Sequence, residues 1–284
     1  MNSPIKKDPD LLRWLVAPLL FLVLTSLSWK MLSARSLKPE TSSYFNEHLQ
    51  GPKKVDKQAD KILKQMSDYL TAMKQFSYKS SGTFEVPDKN NKKEKQHYNA
   101  EVFVKRPNKL RVNVKNEKRD ASVFYDGKQF AVLGRNANMY AIADAPPTLD
   151  AALDSAREKF LLDPPGSDIL YTNPYNGLME EATNGQLLGD ETVNGKACHH
   201  LAYKSKEVDW EIWVQKGATP LPLRYKIISK NEPQRPEFTV DFTDWKQGTG
   251  SEFADQQFTL VPPANAKKIP FMHLGNAPAA TTKK

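Results

Sequence analysis

Residues 98–140 alternate apolar and polar side chains through several short runs broken by turn residues, and this pattern limits the chain to a mainly β fold. Tyr98, Ala100, Val102 and Val104 alternate with Asn99, Glu101, Phe103 and Lys105. That period of two belongs to a strand with one face buried. Pro107-Asn108 turns the chain, Leu110, Val112 and Val114 repeat the alternation, and a charged turn at Asn116–Asp120 leads into Val123–Tyr125. Asp126-Gly127 signals a tight type I′ hairpin with positive φ at both residues, and Phe130–Leu133 and Met139–Ile142 complete the meander.

The 284 residues are ordinary for one β domain, and 39% hydrophobic residues with five Trp supply a core. A charged fraction of 26% and a mean hydropathy of -0.62 argue against a polytopic membrane protein. The net charge of +8 sits largely in turns, at Lys89–Lys95, Lys115–Arg119 and Lys204–Lys206. Scattered loop lysines suit solvent and anionic headgroups better than a nucleic acid, so no nucleic-acid partner is expected. Cys198 is the single cysteine and forms no internal disulfide.

Residues 14–29, from Trp14 to Trp29, carry no charge and are bounded by Arg13 and Lys30. Sixteen residues are short for a span, which wants about 20, and long for the apolar region of a cleaved signal. Lys6, Lys7 and Arg13 precede the segment, and only Leu32-Ser33-Ala34 offers a cleavage site. Residues 1–35 therefore read as an uncleaved signal anchor or a signal peptide. The body is exported either way, anchored to the inner membrane by residues 14–29 or secreted into the periplasm if they are cut.

Residues 36–54 form a polar linker carrying Pro39 and Pro52, a domain spans 55–270, and residues 271–284 are a small, polar, disordered tail. Val55, Ala59, Ile62, Leu63, Met66, Leu70 and Met73 form one helical stripe. Phe76–Val86 is the first strand, followed by a basic turn at Lys89–Lys95. Thr148 caps a helix from Leu149 to about Leu161, which Asp163-Pro164-Pro165-Gly166 stops, and a second, partly helical piece runs through Tyr175 and Leu178-Met179. Two helical pieces inserted in mid-sheet make a cover. Strands return at Gln186–Val193, Ala197–Tyr203, Val208–Val214, Leu221–Ser229, Glu237–Trp245 and Gln257–Leu260, with Asn194-Gly195 as a hairpin turn. Roughly ten or eleven strands make one large, curved antiparallel sheet.

Several motifs in this order resemble one family. They are Val102-Phe103-Val104-Lys105-Arg106-Pro107-Asn108-Lys109-Leu110-Arg111-Val112, Tyr125-Asp126-Gly127-Lys128, Ala145-Pro146-Pro147-Thr148-Leu149-Asp150, Val193-Asn194-Gly195-Lys196-Ala197-Cys198-His199-His200-Leu201 and Asp209-Trp210-Glu211-Ile212-Trp213-Val214. Over about 55–269 the chain resembles the predicted periplasmic proteins grouped as DUF2092, which are similar in architecture to the LolA/LolB lipoprotein-carrier superfamily. The resemblance implies an open, incomplete β-barrel whose concave apolar face is sheltered by helices and holds acyl chains. It carries over no catalytic residue.

On the inner face the alternation places Val102, Val104, Trp210, Ile212, Leu223, Tyr225, Phe238, Val240 and Phe242. They either fill the barrel as a core or line a ligand cavity. Cys198-His199-His200 is a poor metal site, because a strand points His199 away from the other two. Asp209 and Glu211 share a face opposite Trp210 and Ile212, which reads as solvated surface rather than an acid/base pair. No nucleophile elbow, zinc helix, phosphate loop or dinucleotide fingerprint occurs. The expected function is a non-enzymatic periplasmic carrier for a lipid or lipid-linked ligand, with no cofactor. The alternatives are an envelope structural or protein-interaction module with a filled barrel, and a hydrolase acting through Asp209 and Glu211 or Cys198.

Overall fold

β2 (Gln75–Pro87) lies between β3 (Lys93–Lys105) and β12 (Glu237–Gln247), so the first and last thirds of the chain share one sheet. The computed structural model describes residues 54–87, 92–116, 119–160, 162 and 164–271. The expected signal segment and nearly all of the linker and tail lie outside the described residues. Among the described residues the sheet has 13 strands in the order β1-β8-β9-β10-β11-β12-β2-β3-β4-β5-β6-β7-β13. The other strands are β1 (Lys54–Val55), β4 (Lys109–Lys115), β5 (Asp120–Tyr125), β6 (Gln129–Gly134), β7 (Met139–Asp144), β8 (Asn184–Val193), β9 (Lys196–Lys204), β10 (Val208–Gln215), β11 (Pro222–Ser229) and β13 (Lys267–Lys268).

All pairings are antiparallel except at the two margins, where β1 runs parallel to β8 and β13 parallel to β7. These two-residue strands carry no alternation, which is why the sequence reading stops at ten or eleven. They cap edges that would otherwise offer open backbone groups to another chain. The sheet does not close, and it is the open antiparallel barrel expected, mainly β with a few helices.

Register sets the faces. Tyr78 opposes Val102, Ile212 opposes Tyr225, and Tyr225 opposes Val240, so the alternating apolar residues of these five strands turn to one concave side. Helix α1 (Lys57–Ala72) begins where the Asp56 carboxylate accepts the amides of Gln58 and Ala59 at 2.6 and 3.1 Å. It buries Ala59, Ile62, Leu63, Met66 and Leu70, while Val55 belongs to β1. Tyr203 donates its hydroxyl to the Ala59 carbonyl at 3.1 Å and pins α1 to the sheet. Helices α2 (Leu149–Phe160) and α3 (Pro174–Glu180), with a 3-10 turn at Ser167–Leu170 between them, form the inserted cover.

Three local readings are corrected. Gln257–Leu260 is not a strand: Ser251–Phe253 and Asp255–Phe258 are 3-10 turns that press Phe253 and Phe258 onto the convex side of β3 and β4, with Phe253 edge-on to Phe103. Burial of those two rings outweighs a weak alternation. Lys93–Lys95, read as turn, begin β3, because β2 and β3 run on as a ribbon past the core, tied by Lys93 to Glu85 at 2.8 Å. In the β5–β6 hairpin Asp126 is not a central residue. Gly127 alone there has positive φ, +89°, as the first central residue of a type II′ turn requires, and the Asp126 carboxylate accepts the Lys128 and Gln129 amides. At Asn194-Gly195 both φ values are positive, 50° and 76°, the type I′ geometry.

Candidate functional site

The concave face is divided. Under α1 it is filled: Trp210 stacks on Tyr203 with ring centroids 4.1 Å apart and meets Tyr225 edge-on, while Ile212, Leu223 and Val104 are fully or almost fully buried. Under α2 and residues 164–170 it is hollow. There a cavity of about 150 Å³ lies between the cover and strands β2 to β6 and β12. In the measure that gives one water about 10–15 Å³, it has room for roughly ten waters.

The wall is apolar on both sides. Val102, Leu110, Val112, Val123 and Phe130 face it from the meander, Phe238, Val240 and Phe242 from β12, and Leu153, Ala156, Leu162 and Leu170 from the cover. Four residues expected on a cavity wall, Val102, Phe238, Val240 and Phe242, are there. The other five, Val104, Trp210, Ile212, Leu223 and Tyr225, share the concave side but pack into the filled half.

The two ends of the hollow differ. At the β3–β4 turn the Arg106 guanidinium donates to the carbonyls of Leu170 (3.1 Å) and Tyr171 (2.8 Å), and the Leu149 amide donates to the Pro107 carbonyl (2.8 Å). This end is laced to the cover. Burial holds Arg106 below the usual arginine range, and Asp150, the smaller influence, opposes that. At the opposite end the β4–β5 turn brings Asn116 and Arg119 to the wall, and partial burial lowers the Arg119 value too.

Sequence reasoning missed Arg119, read as a solvated turn charge, and the hydroxyls of Tyr78, Ser80 and Tyr98, which also line the cavity. Alternation marked Tyr98 as inward. Its depth follows from Gly82 directly opposite, where a Cβ would stand 2.2 Å from the Tyr98 ring. Nothing in the local sequence announces that pairing.

On the convex side, His200 contacts Glu191 through Nδ1 at 2.9 Å and Glu211 through Nε2 at 2.8 Å. Asp209 is engaged by Lys230 and Arg235. Cys198 is buried, and burial pushes its thiol up. Among the described residues no group of three or more His, Cys, Asp or Glu is arranged to hold a metal. Asp209 and Glu211 belong to ion pairs and Cys198 to the core, and none of the three lines the apolar hollow. Among the described residues no helix is long and apolar enough to cross a membrane.

No curated protein matches the chain. Among solved structures it is similar to an uncharacterized conserved protein of Thermus thermophilus, at 14% identity over 75% of this chain and 99% of that one, with a TM-score of 0.45. It is also similar to the Mycobacterium tuberculosis lipoprotein LppX (13%, 69% and 98%, TM-score 0.43). A third likeness is to a LolA superfamily protein of Nitrosomonas europaea (14%, 71% and 97%, TM-score 0.34). By a family model that matches residues 59–272, the chain belongs to DUF2092, a family of predicted periplasmic proteins.

Proposed function

We propose that the chain is a non-enzymatic periplasmic carrier that holds one acyl chain of a lipid or lipid-linked ligand in the hollow under α2, with residues 55–270 acting as one ligand-holding unit. The observation that carries this reading is the apolar cavity between the β2–β6 meander and the inserted cover. Well-packed cores rarely leave voids much larger than a water, so a hollow with room for roughly ten points to an occupant. A methylene displaces about the volume of one water, ~30 Å³, so the space suits a single chain segment of about ten carbons rather than two full chains. Residues 14–29, when uncut, would keep the carrier at the inner membrane.

The test is lipid extraction and mass spectrometry of protein purified from an envelope fraction, followed by titration of the delipidated protein with a fluorescent fatty-acyl probe. Ala156 faces the hollow from α2, and Ala156→Trp fills it. Probe binding that weakens at least tenfold in this variant supports the proposal. Delipidated protein that ignores the probe, or an Ala156→Trp variant that binds it as well as the native chain does, removes it and leaves the envelope interaction module.

A further inference from the structure

Three hydroxyls on the cavity wall have no hydrogen-bond partner among the described residues: those of Tyr78, Ser80 and Tyr98. Tyr78 is 5% exposed and Ser80 7%. The three oxygens are not sealed in protein but open onto the hollow, where a donor on an otherwise apolar wall is satisfied only by what fills the space. Three together on one wall call for something in the cavity that accepts from them.

Their placement is built in. Tyr78 is wedged between Phe242, edge-on at 5.5 Å, and Trp245, at 4.5 Å. Tyr98 lies between Phe84 and Phe238, each 6.3 Å away, and its hydroxyl reaches over Gly82, where a Cβ would stand 2.6 Å from it. Register puts Tyr78, Ser80 and Gly82 in succession on the inner side of β2, with Tyr98 opposite Gly82. The Tyr98 ring thus lies across Gly82, the next inward position along β2 after Tyr78 and Ser80. Burial pushes the phenols of Tyr78 and Tyr98 far above the usual range, and the nearness of Tyr98 adds to the rise at Tyr78. Both stay neutral donors. An apolar hollow with a few convergent donors orients a ligand by its acceptor atom.

We propose that the hydroxyls of Tyr78, Ser80 and Tyr98 bind the uncharged carbonyl oxygen of an acyl ester, so that the site distinguishes ester-linked chains from ether-linked ones. This rests on the acyl-chain reading above and adds a selectivity that the reading does not require. A carbonyl oxygen has two lone pairs and takes two donors at once, whereas an ether oxygen is a weaker and more hindered acceptor. A carboxylate would have to bring its charge into the apolar hollow, away from Arg119 at the end.

The experiment displaces the fluorescent acyl probe from delipidated full-length protein with three competitors of equal chain length: a monoacylglycerol, the matching monoalkyl glycerol ether, and the free fatty acid. Two neutral hydrogen bonds gained by the ester predict a preference of roughly tenfold or more. In Tyr78→Phe/Tyr98→Phe the ester should fall to the level of the ether. Thermal unfolding of the double variant checks that the fold persists, and Ser80→Ala gives a second, smaller loss of ester preference. Equal affinity for ester and ether in the native chain, with the probe bound, would mean that the hydroxyls serve ordered water only, and overturns this inference while leaving the carrier intact. An ester preference that survives in the double variant overturns it as well, as does a free acid that outcompetes both glycerol compounds. Failure of the probe to bind at all removes the carrier, and the ester site with it.

Discussion

The His200 ring lies flat against Trp213 on the convex side of the sheet, with centroids 4.1 Å apart and 15° between the planes. Glu191 joins them, accepting the Trp213 indole N–H at 2.9 Å through one oxygen and meeting His200 Nδ1 at 2.9 Å through the other. Strands β8, β9 and β10 are thereby tied on their outer face. The Trp213 hydrogen bond, and after it the one to His200, hold the Glu191 carboxyl below its usual 4.5, with partial desolvation opposing them. A depressed carboxylate contributes stability that is present above the unfolded value and lost as pH falls through the folded one. The thermal midpoint should therefore drop as pH falls below about 4.5. Glu191→Gln should have a lower midpoint at neutral pH and a flatter acid limb. An unchanged acid limb would show that other carboxylates set it.

Gly185 allows a second tie. A Cβ there would stand 2.5 Å from Cε1 of Tyr203, whose hydroxyl holds the Ala59 carbonyl and whose ring stacks on Trp210. Gly185→Ala should push that ring aside and cost about 1–3 kcal/mol, as overpacked cores do. The check is the urea midpoint, with Tyr203→Phe as the comparison. That variant loses only the hydrogen bond, worth about 1 kcal/mol, plus the cost of the unpaired carbonyl. Alanine at 185 that leaves the midpoint unmoved would mean that the ring is free to shift.

The concave face was legible because period-two alternation in Tyr98–Val104, Val208–Val214 and Glu237–Trp245 leaves little choice about which residues turn inward. Asn194-Gly195 set its hairpin for the same local reason. The split into a filled and a hollow half was not legible. It depends on α1 covering Trp210 and Ile212 while α2 stands off from Val102 and Phe242, and that spacing comes from side chains far apart in sequence, such as Arg106 and Leu170. Short edge strands and the turns around Phe253 and Phe258 escape for a related reason. They are too short to show a period, and tertiary burial decides them.

Arg106 should govern how firmly the cover sits. Its guanidinium donates to the carbonyls of Leu170 and Tyr171 and lies 5.6 Å from the centre of the Phe76 ring. Arg106→Ala removes a charged donor pair that is worth about 1.5–3 kcal/mol and leaves two carbonyls without it. Hydrogen exchange in residues 167–173 should quicken, and release of the acyl probe should quicken with it. Arg106→Lys should recover part of the effect, because one ammonium cannot reproduce a planar fork. Unaltered exchange in that segment would assign the hold on the cover to Asp150, which accepts from the amide and hydroxyl of Thr172.

β13 should protect the edge of the sheet. The Lys267 amide donates to the Asn138 carbonyl and the Ile269 amide to the Tyr140 carbonyl, both at 2.9 Å, while Phe271 packs on Phe160 at 4.4 Å. Deleting residues 267–284 would bare the outer edge of β7 (Met139–Asp144) together with the apolar surface beside it. An open edge of that length is a template for another chain. Light scattering after gel filtration should show a concentration-dependent larger species that the full chain lacks at the same concentration. Tyr140→Lys in the shortened chain should reduce that species, because a charge on an exposed edge opposes pairing. Identical elution of the two chains across the concentration range would mean that β7 is guarded by its own twist and that β13 contributes only the Phe271 contact.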